Sequence, residues 1–349
     1  FNCSFTPRVP PEMSDEQTPS QPQSTSEELI AVRRAKLAKL KDLGLDPYGA
    51  AFETNTTPGE LKTNFENDKP VKLGGRLLAI RDMGKSVFAT LGDAHGRIQI
   101  YLNMKQVSEA DWAAYQCLDL GDWIGVDGET FTTGKGEPSV KVEKLTVLSK
   151  ALRPMPDKWH GLSDRETKYR KRHLDLMSNQ ESANLFIMRS KIVAEIRNFL
   201  HERDYLEVET PMLHDIAGGA AAKPFKTHHN ALSMDLTMRI APELHLKRLL
   251  VGGLTKVFEL NRNFRNEGIS RRHNPEFTML EAYQAYGDFE IMADLVEEMV
   301  CHLAEKFFGT LQIEHKDENG EPVRTLDLSR PWKRAPYQSL IKEAAGDDW

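Results

Sequence analysis

The sequence predicts an α+β protein of several domains, in which a small β-barrel precedes a larger domain built on an antiparallel sheet. Short runs of alternating apolar and polar residues fill positions 71–150, and two longer alternating runs appear near positions 256–286. A segment with two prolines, residues 153–156, separates the two regions. The length of 349 residues also exceeds the usual size of one domain.

The composition excludes several classes of protein. Apolar residues make up 40% of the chain, and no apolar run approaches the roughly 18 residues of a membrane span. Cys3, Cys117 and Cys301 are far apart, which argues against a disulfide framework and a cysteine-based zinc site. We therefore expect a cytoplasmic protein in a reducing compartment, with no membrane partner. Because the net charge is -6, any nucleic-acid-binding surface must be local.

The N-terminal residues are predicted to form a tail and a helix. Residues 1–23 are rich in Ser, Pro, Gln and Thr and contain no apolar segment of a secretory signal, so we predict disorder. Residues 24–45 are predicted to be helical, with Thr25 in a capping box and Gly44 at the end. The polar side is either a solvated face, which charge alone favours, or a contact for phosphates. It carries Arg33, Arg34, Lys36, Lys39 and Lys41.

Residues 68–150 are predicted to form an OB barrel. The expected elements are three strands, a helix at 107–118, and two further strands, which is the order of this oligonucleotide-binding fold. The strands span residues 71–80, 86–91, 97–102, 123–132 and 139–148.

Strand parity predicts which side chains the second and third strands turn outward. Val87, Ala89 and Leu91 share one face with Ile98, Ile100 and Leu102, which leaves five residues on the opposite face: Phe88, Thr90, Arg97, Gln99 and Tyr101. An aromatic ring beside Arg and Gln suits base stacking and base-edge hydrogen bonding. The alternative is that Phe88 and Tyr101 form a cross-strand pair that supports the sheet.

After a linker at 151–164, residues 165–349 are predicted to form the second domain. Ser182 is the expected cap of a helix, and a strand from Tyr205 to Thr210 is expected to end at Pro211. The runs 256–267 and 276–286 alternate between an apolar face and a face that carries Arg, Glu, Phe and Tyr. Antiparallel pairing would place that second face in a pocket, although a solvent-facing charged sheet is the alternative.

Several segments resemble the class II lysyl-tRNA synthetases. Residues 264–268 (FRNEG) and 272–278 (RHNPEFT) look like motif 2 of that family, and residues 204–211 (DYLEVETP) resemble motif 1. The segments 218–220 (GGA), 223–225 (KPF), 228–230 (HHN) and 239–244 (RIAPEL) are similar to the lysine-specific members. The resemblance covers about residues 25 to 349 and implies an OB anticodon-binding domain followed by an antiparallel-sheet catalytic domain.

The resemblance implies ATP-dependent activation of L-lysine and its transfer to lysine tRNA, with Mg²⁺, in a homodimer formed through motif 1. Arg265 is the implied catalytic residue. The implied ATP-binding residues are Arg265, Glu267, His273, Asn274 and Phe277, and the implied lysine-binding residues are Gly219, Glu243, Glu281 and Tyr283. Phe88, Gln99 and Glu137 match anticodon readers.

The sequence departs from the family pattern at three positions and at its end. Ala217, His245 and Arg271 replace the usual Pro, Tyr and an apolar residue, but none is a matched site residue. No third motif occurs before Trp349, so the resemblance implies an incomplete catalytic domain, magnesium ligands beyond Trp349, and no activity for the chain as given.

Three alternatives compete with this interpretation. An aspartyl- or asparaginyl-tRNA synthetase shares both folds, but its substrates do not call for Glu243 and Glu281. A lysine ligase that modifies an elongation factor lacks the barrel. The chain as a non-catalytic RNA-binding fragment is the third. A zinc site at His228 and His229 is disfavoured because no third ligand accompanies them.

Overall fold

The computed structural model describes residues 23–49, 51–156, 162, 164–270, 272–317 and 320–346. The chain divides into two compact units, Phe1–Leu185 and Phe186–Trp349. The predicted tail at 1–23 lies almost wholly outside the described residues, and so does much of the predicted linker. The predicted domain boundaries stay predictions.

The first unit contains a closed barrel with strand order β1-β2-β3-β5-β4. Its elements are α1 (Gln23–Asp42), α2 (Pro58–Thr63), β1 (Pro70–Asp82), β2 (Ser86–Gly92), β3 (Arg97–Asn103), α3 (Glu109–Gln116), β4 (Trp123–Thr132), β5 (Pro138–Ser149), α4 (Arg165–Arg170) and α5 (Arg172–Ser178). The OB prediction is confirmed, since five strands and a helix occur in the expected order. The inward residues of β2 and β3 are buried in one apolar core that also contains Leu40 of α1 and Leu61 of α2.

Helix α1 differs from the prediction in its start and in its basic side. The described part of the helix begins at Gln23, two residues before the predicted cap Thr25, and ends at Asp42. Arg33 is buried, and its guanidinium donates to the carbonyls of Ala151, Arg153 and Leu120 at 2.9, 3.1 and 3.1 Å. Thus neither interpretation of the basic face holds for Arg33: its charge is bound by main-chain oxygens.

Of the remaining basic residues of α1, one forms an ion pair and three are exposed to solvent. Lys36 forms an ion pair of 2.6 Å with Asp119 in the barrel domain. Arg34, Lys39 and Lys41 are exposed, as expected for a solvated face.

The described residues of the second unit form three small sheets, and the strand order of one of them is β11-β10-β6. Its elements are α6 (Gln180–His201, which begins in the first unit), β6 (Leu206–Glu207), β7 (Leu213–His214), β8 (Lys226–His229), β9 (Met234–Met238), α7 (Glu243–Val251), β10 (Lys256–Phe264), β11 (Glu276–Gln284), α8 (Phe289–Phe308), β12 (Gln312–Lys316), β13 (Pro322–Asp327) and α9 (Tyr337–Ala345). The predicted antiparallel pairing of β10 and β11 is confirmed, whereas β6 pairs with β10 in parallel.

Two further local predictions are wrong. Helix α6 begins at Gln180 because the side chain of Asn179, and not Ser182, accepts hydrogen bonds from the next backbone amides, those of Glu181 and Ser182. The strand predicted from Tyr205 to Thr210 is only the two residues of β6. Pairing with β10 is limited to these two residues. One further backbone amide, that of Val208, donates to the carbonyl of Phe258 at 2.9 Å.

The β10–β11 pair has the two unlike faces that alternation predicts. Phe258 and Leu260 pack with Phe199 and Leu200 of α6 and with Tyr205 in a second apolar core. The opposite face carries Glu259, Asn261 and Asn263 of β10 beside Glu281, Met279 and Phe277 of β11, which are their direct partners in the register. One face therefore anchors the hairpin, and the other is left to present polar groups.

Candidate functional site

Two of the predicted lysine-binding residues meet directly on strand β11. The Tyr283 hydroxyl donates a hydrogen bond of 3.0 Å to Glu281 Oε2. Burial raises the pKa of Glu281 against the opposing effect of this hydrogen bond, and the charge of Glu243 raises it further. Burial and the neighbouring Glu281 also raise the pKa of Tyr283. A partly buried carboxylate with no cation within 4 Å among the described residues is electrostatically incomplete.

Glu243 and Gly219 complete the neighbourhood. Glu243 is the first residue of α7, and its carboxylate pairs with Lys247 one turn along the same helix. Gly219 has a φ of +88°, and a Cβ at this position would lie 3.1 Å from the Cβ of Glu243. A side chain at 219 would therefore be strained and would crowd Glu243. The structure thus places all four predicted residues in one region of the second unit.

A buried ion pair beside these residues was not identified from the sequence. Arg239 and Glu259 are 0% and 2% exposed, and they form an ion pair of 2.6 Å. Thr210 also donates to Glu259 at 2.6 Å, while Arg239 donates to the carbonyl of Arg262 at 2.9 Å. Glu259 lies directly opposite Glu281 in the strand register.

Because of this pair, Glu259 is neutralised within the fold, whereas Glu281 has no ion-pair partner among the described residues. Arg239 neutralises Glu259 and its positive charge also lowers the pKa of Glu281, although the effects of burial and of Glu243 are larger. One Nη of Arg239 is buried without a hydrogen-bond partner among the described residues. The parity of β10 placed Glu259 on the polar face, but alternation alone could not show that a distant arginine neutralises it.

The five predicted ATP-binding residues line one cavity of about 490 Å³. Gly268, Arg272 and Thr278 complete its walls. The guanidinium of Arg265 lies over the ring of Phe277, 5.3 Å from its centroid. Arg265 Nε is buried and has no hydrogen-bond partner in the described part of the chain. A buried donor without a partner costs free energy unless a ligand supplies an acceptor, which favours an anion at this position.

The loop between β10 and β11 holds the remaining members of this cavity. The backbone amide of Arg265 donates to the carbonyl of Pro275 at 2.8 Å, which extends the hairpin beyond Phe264. His273 Nδ1 lies 2.8 Å from the hydroxyl of Ser270, so one ring nitrogen has a local partner. Arg272, His273 and Asn274 are exposed. Arg271 lies outside the described residues.

A second cavity, of about 720 Å³, lies on the outer face of the barrel. It includes all three predicted anticodon readers, Phe88, Gln99 and Glu137. Gln99 donates a hydrogen bond of 2.8 Å to the hydroxyl of Ser139, which fixes the orientation of its amide. The remaining lining residues are Lys62, Arg81, Met83, Thr90, Arg97, Ile98, Thr133, Gly134 and Lys135.

The cross-strand alternative for Phe88 and Tyr101 is also present. The two residues are direct partners in the register, and their ring centroids are 4.9 Å apart. Tyr101 in turn hydrogen-bonds to the side chain of Asn103 at 2.8 Å. Because Phe88 still lines the cavity, the contact with Tyr101 supports its ring and leaves part of it accessible for stacking.

His228 and His229, where the sequence disfavours a zinc site, are the last two residues of β8. His228 pairs with Asp235 across the β8–β9 hairpin at 2.8 Å. Among the residues that the structure describes, no three His, Cys, Asp or Glu side chains cluster in a way that could hold a metal ion. No helix in the same described ranges is both long and apolar enough to cross a membrane.

Comparison with known proteins identifies the same two regions. Residues 164–348 match the family model of class II tRNA synthetases (D, K and N), and residues 71–148 match that of the OB-fold nucleic acid binding domain. Similar curated proteins include lysine--tRNA ligases of Carboxydothermus hydrogenoformans, 53% identical over 324 residues, Moorella thermoacetica, 51% identical over 324 residues, and Staphylococcus epidermidis, 50% identical over 331 residues. These matches cover 92% of this chain but 65–66% of the relatives. The chain belongs to the class II tRNA synthetases of the D, K and N group.

Proposed function

We propose that this protein activates L-lysine with ATP to form lysyl-adenylate and transfers the lysyl group to lysine tRNA. The observation that carries the proposal is the excess of negative charge in the amino-acid pocket. Glu259 has its own arginine, whereas Glu281 is partly buried without a cation. Lysine offers two ammonium groups, one as a partner for Glu281 and one that can share Glu243 with Lys247.

The proposed pocket discriminates between the amino acids served by this family. The side chain of aspartate would place a further carboxylate beside Glu243 and Glu281, at a cost in repulsion, and asparagine has no side-chain ammonium to pair with Glu281. The names of the relatives given above agree with this choice, because each is called lysine--tRNA ligase.

In the proposed reaction the lysine carboxylate attacks the α-phosphorus of ATP, and pyrophosphate leaves. Arg265 would donate from its unpartnered Nε and from its Nη atoms to the α-phosphate and the carboxylate, which lowers their repulsion as charge develops. Phe277 would stack on adenine, with Glu267 and Asn274 near the base edge and His273 near the outer phosphates. The protein contributes positioning and charge, and no protein nucleophile is needed.

Magnesium is implied by the family as the partner of the ATP phosphates. Glu267 is the only carboxylate among the residues lining the described cavity, so these residues do not form an acidic metal site. We further infer a homodimer through α6 and β6, where Leu206 is half exposed, and a cytoplasmic location.

RNA binding without catalysis is the second candidate, and the barrel cavity favours it. The two are separated by amino-acid-dependent exchange of labelled pyrophosphate into ATP, measured on the full-length gene product with lysine, aspartate or asparagine. We expect exchange with lysine alone. Exchange with aspartate or asparagine would contradict the pocket assignment, and no exchange with any amino acid would favour the binding module.

A further inference from the structure

We propose that Lys62 of helix α2 is part of the RNA-binding surface, where it holds a phosphate together with Arg81, Arg97 and Lys135. This proposal deepens the proposed tRNA binding and rests on it. It extends the interface beyond the strands of the barrel to a short helix that precedes them.

The four cations share one cavity with the residues proposed to read bases. Lys62 comes from α2, Arg81 from β1, Arg97 from β3 and Lys135 from the turn between β4 and β5. All four are exposed, while the ring of Phe88 and the amide of Gln99 lie among them and are only partly exposed. Charged groups around an aromatic ring and an amide are what a single strand requires, because its phosphates alternate with bases.

Within the described ranges these four cations lack a carboxylate partner, unlike several other cations of the first unit. Lys36, Lys72 and Lys150 each pair with an aspartate, at 2.6, 3.7 and 2.8 Å respectively. In the described ranges no carboxylate lies within 4 Å of Lys62, Arg81, Arg97 or Lys135. In a chain with a net charge of -6, four unpaired cations around one cavity are a local excess.

Helix α2 is fixed, so Lys62 has a defined position at this cavity. Thr57 and Glu60 form a capping box at its start, and Leu61 is buried in the barrel core. Gly59 lies against the β2–β3 turn so closely that a Cβ there would be 2.3 Å from the carbonyl oxygen of His95. Absence of a side chain at 59 therefore permits the contact that holds α2 beside the turn.

Single-stranded RNA is favoured over an acidic peptide as the occupant. Glu137 lines the same cavity and would repel a peptide carboxylate, whereas a base edge can donate hydrogen bonds to it. Phe88 offers a surface for stacking that a carboxylate-rich segment would not use.

The test measures binding of the protein to two RNA stem-loops, one with the lysine anticodon UUU and one with a scrambled loop, over a range of salt concentrations. Each phosphate contact that is lost should reduce the slope of log K against log salt by about 0.7 to 0.9. Lys62→Met should produce this reduction for both RNAs, with a loss of affinity of several-fold at low salt. Lys62→Arg should keep the wild-type slope.

The control is Lys105→Met, since Lys105 is an exposed lysine of the same domain that does not line the cavity. It should leave the slope unchanged. A slope for Lys62→Met equal to that of the Lys105 control would overturn the inference. Phe88→Ala separates this failure from failure of the proposed function: if it weakens binding of the UUU loop while Lys62→Met does not, only the role of Lys62 is wrong. If wild-type protein binds neither RNA, the proposed tRNA function fails.

Discussion

Replacing Glu281 by Gln removes one negative charge from the proposed lysine pocket and keeps the shape of the side chain. The Gln carbonyl can still accept the hydrogen bond that Tyr283 donates at 3.0 Å, so the strand is expected to remain in place. The binding of an ammonium group that loses a charged hydrogen-bond partner weakens by about 2 kcal/mol or more. That free energy corresponds to a roughly 30-fold rise in the KM for lysine. The KM for ATP should change little, because Glu281 does not line the cavity of Arg265 and Phe277.

The same substitution should not destabilise the protein in the absence of lysine. Burial raises the pKa of Glu281, so its neutral form favours folding below the ordinary pKa, and this contribution is lost as pH rises through the raised value. At neutral pH the ionised Glu281 therefore opposes folding slightly, and Gln mimics the protonated form. We expect the Tm of the variant to equal or exceed that of the wild type. Lysine affinity of the wild type should fall as pH is lowered through the raised pKa, and the variant should lack this dependence.

On the full-length gene product, the assays are lysine-dependent pyrophosphate exchange, at varied lysine and varied ATP, and thermal unfolding without ligands. The substitution must raise the KM for lysine without lowering the Tm. An unchanged KM for lysine would refute the assignment of Glu281 to the ammonium. A large drop in Tm with equal rises in both KM values would show instead that Glu281 supports the fold.

Three further predictions concern other charges and rings. Phe88→Ala should weaken anticodon binding by about 1 to 3 kcal/mol, the scale of one stacked base, without affecting pyrophosphate exchange; equal losses in both assays would assign Phe88 to the fold. Arg239→Met should lower the free energy of unfolding by about 3 to 5 kcal/mol, since Glu259 would be buried without its partner, and adding Glu259→Gln should recover part of that loss in a denaturant titration. Arg265→Lys should reduce kcat for exchange by about 10² to 10³ with little change in the Tm, and a kcat near that of the wild type would exclude Arg265 from the transition state.

The barrel could be predicted from the sequence because its information is local. Each strand alternates with a period of two, and Val87, Ala89 and Leu91 turn inward as this period requires. The same property predicted the two faces of β10 and β11, where Phe258 is buried in the core and Glu281 is not. The period of two does not depend on which segment a strand pairs with, so it can be read from the sequence without knowledge of the tertiary structure.

Helix starts and basic side chains were predicted less well because several residues compete for the same role. Asn179 and Ser182 both can cap α6, and the backbone path before the helix decides between them. Arg33 looked like its neighbours on α1, but its carbonyl acceptors lie 87 to 120 residues further along the chain. The spacing of charges around Arg33 does not indicate where those acceptors lie.

The distinction between neutralised and unmatched charges carries the functional argument, and it becomes visible only in the structure. A charge taken out of water must be compensated by the fold or by a ligand. Lys150 is fully buried and compensated by Asp122, and Glu259 is compensated by Arg239, so both can be complete without a substrate. Glu281 and Arg265 Nε are left without such partners among the described residues, one negative and one positive. A substrate with an ammonium group at one end and a carboxylate that becomes joined to a phosphate at the other fits both requirements, and lysine with ATP is that combination.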